Sequence, residues 1–237
     1  MNQRCARYMA IVVCLLTAGL VRAGHFAIAA PQDVGMSREK LALVDTAVQE
    51  LVDTQKIAGA SVLVSRRDKV VLYEAVGMMD REAGRPITRD TLFRIYSMTK
   101  PVTSVALMML VEAEKIKLDD PVSEIYRPFK GLRVYDASGV HVEPDREMTV
   151  RDLLRHTSGL TYGFFGNTPV DRMYRERGVL DRGSSLGEMA KKLSEIALLY
   201  QPGTRWHYSV STDMLGFLVE KVSGETLDMF FKRRIFT

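Results

Sequence analysis

The chain has 237 residues, enough for one or two domains, and its 46% hydrophobic and 26% charged content is ordinary for a soluble globular protein. The formal net charge of +4 overstates its basicity: residues 1–30 hold three arginines and no acid, which leaves 30 basic against 29 acidic side chains in the rest. With no long basic run remaining, nucleic-acid binding is excluded.

Residues 1–30 read as a secretory signal peptide. Arg4 and Arg7 precede an apolar run from Met9 to Val21, too short to span a bilayer comfortably. Ala27-Ile28-Ala29 offers small residues for cleavage, and Val21-Arg22-Ala23 is a second candidate. The alternative is an uncleaved N-terminal anchor. The protein is therefore expected to be secreted or periplasmic, with the membrane met only through this segment. Cys5 and Cys14 both lie inside it, so the remainder has no disulfide and no thiol chemistry. Bulky Val13 stands where a lipoprotein signal needs a small residue before Cys14.

Ser37 to Asp53 reads as an amphipathic helix, with Ser37 as N-cap and Leu41, Val44, Val48 and Leu51 on one face. Ala58 to Val64 and Lys69 to Val76 are β-prone runs around the polar turn Ser65-Arg66-Arg67-Asp68, a hairpin pattern. Gly77 to Pro86 reads as a loop or a ragged strand end. Thr91 to Ile95 predicts a short strand that runs into a long helix ending near Lys117. A helix follows at Met148 to Leu154, capped by Thr149 with Asp152 at N3. Tyr162 to Asp181 reads as a surface loop or lid. Leu186 to Leu199 reads as helix, Arg205 to Ser209 as extended, Ser211 to Val222 as a helix closed by Gly224, and Glu225 to Arg234 as the start of another.

The chemistry concentrates where the strand meets the long helix. Ser97 is placed at or near its N-cap and Lys100 three residues on, on the same face, with Cβ atoms about 5–6 Å apart. A serine hydroxyl is a poor nucleophile unless a neighbour takes its proton. Lysine does that where burial or nearby positive charge lowers its pKa. The Ser-x-x-Lys pattern is the device of penicillin-recognising serine hydrolases.

Three further segments extend the pattern. Leu92 to Lys100 is followed by Leu118-Asp119-Asp120-Pro121-Val122, then Leu153-Leu154-Arg155-His156-Thr157-Ser158-Gly159-Leu160, then Pro202-Gly203 and Tyr208-Ser209-Val210. In this order the chain, over about residues 35 to 237, resembles the serine β-lactamase-related family: class C β-lactamases, D-alanyl-D-alanine carboxypeptidases and β-lactamase-like esterases. The resemblance implies an α/β (α+β) fold of the β-lactamase/transpeptidase type, an antiparallel sheet flanked by helices plus an all-helical domain. Residues 31–117 would form the N-terminal part of the α/β domain with the nucleophile helix, and 118–237 the helical domain. It also implies a third catalytic motif, Lys-Thr-Gly or a variant, on a strand that follows the helical domain and supplies the second oxyanion donor beside the Ser97 N–H. The chain ends at Thr237 before that point, so the expectation is that the C-terminal strands are missing and that this length of chain is inactive alone.

By the same resemblance Ser97 is the nucleophile, Lys100 its proton partner, and Tyr208 acts with Lys100 and protonates the leaving group. Val210 stands where the Tyr-x-Asn motif has a substrate-binding Asn, and valine has neither donor nor acceptor. The expected function is an exported serine hydrolase of small esters working through a Ser97 acyl-enzyme, with a small ester or amide as its partner and no cofactor. The alternatives are a β-lactamase or D-Ala-D-Ala carboxypeptidase, and a non-catalytic penicillin-binding or truncated, inactive relative.

Other motifs weigh less. Gly183-Ser184-Ser185-Leu186-Gly187 matches the Gly-x-Ser-x-Gly nucleophile elbow, but residues 175–182 are too charged for the buried strand that an elbow needs, so Ser185 reads as an N-cap. His156 falls in a helix-ending turn, where it satisfies backbone groups. His207 alternates away from Tyr208 along the extended segment. The four histidines form no metal-ligand pattern.

Overall fold

The computed structural model describes residues 27–136, 138–139 and 141–236. The expected signal peptide lies outside the described residues as far as residue 26. The chain separates into two units, residues 1–94 and 95–237.

The first unit is a sheet with a helix against it. Its strands are β1 (Ala27–Ile28), β2 (Gly59–Arg66), β3 (Lys69–Asp80) and β4 (Arg85–Pro86). β2 pairs antiparallel with β3 and β1 joins β3 in parallel on the side away from β2, while β4 pairs antiparallel with the end of β3. The β2–β3 hairpin turns tighter than the sequence suggests. Arg67 and Asp68 alone form the loop, both at positive φ (51° and 57°), the two-residue geometry whose twist matches the strands. Gly59 pairs with Gly77 across the hairpin, and a Cβ on Gly59 would come within 2.7 Å of Val76 O. β3 runs on to Asp80 through the segment expected to be a ragged end. Helix α1 (Arg38–Asp53) packs on β3, and Ser37 caps it by accepting a hydrogen bond from Lys40 N at 3.2 Å. β1 falls in the last residues of the expected leader: cleavage after Ala29 would remove it, and cleavage after Ala23 would keep it.

The second unit is helical. It holds α2 (Thr99–Glu112), α3 (Val122–Ile125), the small hairpin β5 (Val134–Tyr135) and β6 (His141–Val142), α4 (Val150–Leu154), α5 (Pro169–Glu176), α6 (Leu186–Leu193), α7 (Ser211–Ser223) and α8 (Leu227–Arg234). α7 is the centre. Met214, Leu215, Leu218 and Val219 are fully buried on it, and α2, α4, α6 and α8 pack around it. A helix apolar on nearly every face must lie inside, and each such leucine contributes roughly 1.5–3 kcal/mol by leaving water. The α2 side chains Ala106, Leu107 and Leu110 belong to the same core, so the nucleophile helix belongs to this unit rather than to residues 31–117 with the hairpin.

Four expectations change. Thr91 to Ile95 forms no strand: among the described residues no ladder partner pairs with it, and Leu92, Phe93 and Ile95 stay exposed. α2 stops at Glu112, five residues early, as Glu114 turns to φ 55°. The 186–199 helix ends at Leu193, because Leu198 N donates to Arg133 O and Leu199 N to Gly159 O, drawing that backbone out of the helix. The 162–181 lid contains α5, which starts with a capping box between Thr168 and Asp171 and buries Val170 and Tyr174.

Candidate active site

Three pieces of chain in the helical unit converge. The first is the 3-10 turn Tyr96–Met98 that leads into α2. The N-cap of α2 is Met98, which has no capping side chain, so Ser97 sits one residue before the cap. Tyr96 adopts φ 45°, a left-handed conformation that costs a non-glycine residue roughly 1–2 kcal/mol and is found where a site must hold an unusual geometry.

The second piece is the turn that follows α4. The Thr149–Asp152 capping box starts that helix, and Arg146 grips Asp152 with two hydrogen bonds of 2.6 and 2.9 Å. His156 (φ 55°) then turns the chain into Thr157-Ser158-Gly159-Leu160. Gly159 has φ 86°, and a Cβ there would lie 2.2 Å from Tyr200 O, so only glycine fits.

The third piece, Arg205 to Ser209, is laced to that turn. Gly203 N donates to Thr157 O at 2.7 Å, His207 N to His156 O at 2.8 Å, and Val210 N to Thr161 O at 3.3 Å. The side chains lock it further. Ser209, Ser211 and Ser158 form a buried chain of hydroxyls at 2.7 Å per step. His207 Nε2 lies 3.1 Å from Thr161 Oγ1, which donates to Asp171 at 2.9 Å. This double lacing fixes the direction of Tyr208.

Tyr208 donates its hydroxyl to Ser97 Oγ at 2.8 Å, and Lys100 Nζ donates to the same oxygen at 3.3 Å. Nζ lies 4.9 Å from the Tyr208 ring centre and 5.6 Å from that of Tyr162. The structure thus brings together Ser97, Lys100 and Tyr208, and adds Tyr162 from the region read as a lid. The electrostatics differ from those of a lysine with a lowered pKa. Burial works against the Lys100 charge, but hydrogen bonds to Tyr162 and Tyr208 outweigh it and hold Lys100 above its usual value. Burial pushes Tyr208 up, yet the bonds to Lys100 and Ser97 bring it below the usual phenol value. Tyr162 goes up, mainly by burial. His156, beside Tyr208 with ring centres 4.8 Å apart, is driven toward neutrality by burial and by the Lys100 charge.

Val210 does not belong to the site. Its side chain is fully buried in the core, because the backbone enters α7 at this residue and turns it inward. The substrate-binding position expected there is corrected accordingly. Ser185 is an N-cap, with Oγ accepting from Glu188 N at 3.2 Å and donating to Glu188 Oε2 at 2.9 Å. Among the described residues, no group of three or more His, Cys, Asp or Glu side chains could hold a metal ion.

Aromatic rings surround the nucleophile. Trp206 stacks near Tyr208 at 6.3 Å and 22°, Tyr162 lies 5.4 Å from Tyr208, and Phe164 and Phe165 continue the row. Trp206, Phe164 and Phe165 are largely exposed, which leaves an apolar shelf next to Ser97. The run of aromatics after the Gly159 turn is visible in the sequence, but its position beside the serine comes only from the fold.

Residues 44–237 match the family model described as Beta-lactamase. Esterase EstB of Burkholderia gladioli is 35% identical over 188 residues, 78% of this chain and 46% of EstB. The solved structure of EstCE1, described as a hydrolase with promiscuous acyltransferase activity, aligns with a TM-score of 0.73 at 33% identity, over 83% of this chain and 51% of that one. Simvastatin synthase LovD of Aspergillus terreus aligns with a TM-score of 0.68 at 25% identity, over 84% of this chain and 52% of its own. These neighbours have the β-lactamase/transpeptidase fold, and the α/β class expected from the motifs holds for this chain. The chain spans about half the length of the curated relatives it matches.

Proposed function

The chain belongs to the β-lactamase family, and we propose that the whole protein is an exported serine hydrolase that cleaves small apolar esters through an acyl-enzyme on Ser97. One observation carries this reading: Ser97 Oγ lies within hydrogen-bond reach of both Tyr208, at 2.8 Å, and Lys100, at 3.3 Å. Tyr208 is the base. Lys100 stays an ammonium, and its charge draws Tyr208 toward phenolate. The phenolate takes the Ser97 proton as Oγ bonds the ester carbonyl carbon. Negative charge develops on the carbonyl oxygen beside the Ser97 N–H and the start of α2, where helix N–H groups favour an anion. Collapse expels the alkoxide, which takes the proton from Tyr208. Water then repeats the sequence on the acyl-enzyme.

The aromatic shelf supports an apolar acyl or alcohol group on the substrate, since flat rings bury such groups well. It also favours a second reading, transfer of the acyl group to an apolar alcohol in place of water, the kind of activity named for EstCE1. Lactam or D-Ala-D-Ala hydrolysis and a non-catalytic penicillin-binding role are weaker alternatives, as no side-chain amide reaches the site from position 210. For export, removal of the leader after Ala23 keeps Ala27 and Ile28 in their ladder with Lys69 and Val70.

A fluorophosphonate should label one residue, mapped by peptide mass spectrometry to Ser97. Ser97→Ala should lose both the label and the turnover of p-nitrophenyl acetate. Label on Ser185, or turnover surviving in Ser97→Ala, overturns the reading.

A further inference from the structure

Helices α2 and α7 both start at the site, since Ser97 and Tyr208 touch at 2.8 Å just before them. They then run side by side in the same direction. A Cβ placed on Gly216 would lie 3.8 Å from Thr103 Cγ2, so these two positions face each other. One turn back from Thr103 is Lys100, and one turn back from Gly216 is Asp213. The register therefore puts Asp213 opposite Lys100, inside the contact between the helices. Asp213 Oδ2 is buried and has no hydrogen-bond partner. A buried carboxylate oxygen without a donor is costly, and such a group persists where a nearby charge compensates it.

We propose that Asp213 is a positioning residue for this reaction: as a half-buried carboxylate facing Lys100 across the α2–α7 contact, it keeps Lys100 in the ammonium form that makes Tyr208 the base. This rests on the reading of Ser97, Lys100 and Tyr208 given above. Burial holds Asp213 above the usual carboxylate value against the pull of the Lys100 charge, and the Asp213 charge pushes Tyr162 and Tyr208 up, opposing the pull of Lys100 on them. Several other charged groups on elements packed around α7 are engaged elsewhere or exposed. Asp152 on α4 binds Arg146, Glu188 on α6 closes its own cap, and Lys192 bonds Gly178 O and Ser184. Asp228 on α8 bonds Thr226, the basic residues of α8 lie in its last turn, and Glu124 on α3 is exposed. Among the described residues, Lys100 is the cation whose charge draws on Asp213. Without the carboxylate, Lys100 gives up its proton at lower pH, and an ammonium-dependent reaction fails earlier on the alkaline side.

The test reads the rate of Ser97 labelling by a fluorophosphonate from pH 5 to 10. In Asp213→Asn, which keeps the side chain's shape, the alkaline limb should move down on the order of one pH unit. Asp213→Ser carries the same expectation should the Asn variant fold poorly. Unchanged limbs with the rate reduced equally at every pH would make Asp213 structural and overturn the proposal. A third measurement needs no variant: the Asp213 side-chain ¹³C carboxyl shift in the wild-type chain should report an ionised carboxylate at pH 7, and a neutral carboxyl overturns the proposal. Ser97→Ala run in parallel separates the two failures, because labelling that survives there defeats the assignment of the nucleophile, whatever Asp213 does.

Discussion

Of the serines that stand at the start of helices, Ser185 and Ser97 meet opposite fates. Ser185 uses its oxygen on its own helix, accepting from Glu188 N and donating to the Glu188 carboxylate. Ser97 stands before a helix whose N-cap, Met98, has no capping bond, and its oxygen faces Lys100 and Tyr208 instead. Both positions match a known nucleophile pattern. What separates them is whether the local backbone consumes the hydroxyl. A capping box commits the oxygen to structure, whereas a strained residue at Tyr96 followed by an uncapped turn leaves it for chemistry.

The sharpest way to break this comparison is to remove the base from one side of it. Tyr208→Phe keeps the ring packed against Trp206, Tyr162 and His156 and deletes only the hydroxyl. We expect kcat/KM on p-nitrophenyl butyrate to fall about 10²–10⁴-fold, the usual contribution of a positioned base, with the melting temperature within a few degrees of wild type. A fall of less than about tenfold would return the base role to Lys100.

Val210→Asn comes next. It restores the Asn of the Tyr-x-Asn motif, but into a fully buried position inside the core. A buried amide without partners costs roughly 1–3 kcal/mol. The variant should therefore lose stability in urea denaturation without gaining nitrocefin turnover relative to the ester. A gain in that ratio would mean that residue 210 reaches the substrate after all.

The fold was legible wherever the signal is local. α1 with its Ser37 cap, the β2–β3 hairpin, the Thr149–Asp152 box and the Gly224 stop of α7 each follow from a few adjacent residues. The errors came where distant backbone decides. Residues 196–199 look helical by composition, but the carbonyls of Arg133 and Gly159 take the N–H groups of Leu198 and Leu199. Thr91 to Ile95 has the residues of a strand without a ladder partner among the described residues. α5 is a different case, because Thr168-Pro169-Val170-Asp171 carries a readable capping box and a proline at the first helical position. In the site, Ser97, Lys100 and Tyr208 could be named from motifs. Tyr162 and Asp213 could not, as their relation to Lys100 exists only once α2, α7 and the Gly159 turn are packed together.

The α5 start offers a pH test of the same capping logic. Burial pushes Asp171 up, but bonds from Thr168 and Thr161, with the His207 charge, hold it below the usual carboxylate value. A carboxyl whose folded pKa is depressed contributes stability above its unfolded value, near 4, and loses that contribution as pH falls through the folded value. The melting temperature should accordingly drop in acid below about pH 4. Asp171→Asn should flatten that acid limb while lowering stability at pH 7, and an unchanged limb would show that Asp171 is not paired in this way.

The smallest expected effect belongs to the other serine. Ser185→Ala removes the oxygen that satisfies Glu188 N and frees the Glu188 carboxylate, which the cap holds below its usual value. Loss of a serine N-cap typically costs about 1 kcal/mol, and the site is exposed, so water replaces part of the lost bonding. α6 also carries Met189, Ala190 and Leu193 into the core, and that burial remains in the variant. The helix should therefore fray at its first turn and stay docked. Amide hydrogen exchange should quicken at Leu186 to Glu188 alone, and ester turnover should match wild type. If Ser185→Ala instead costs as much activity as Tyr208→Phe, the capped serine is not a purely structural one, and the contrast between the two turns collapses.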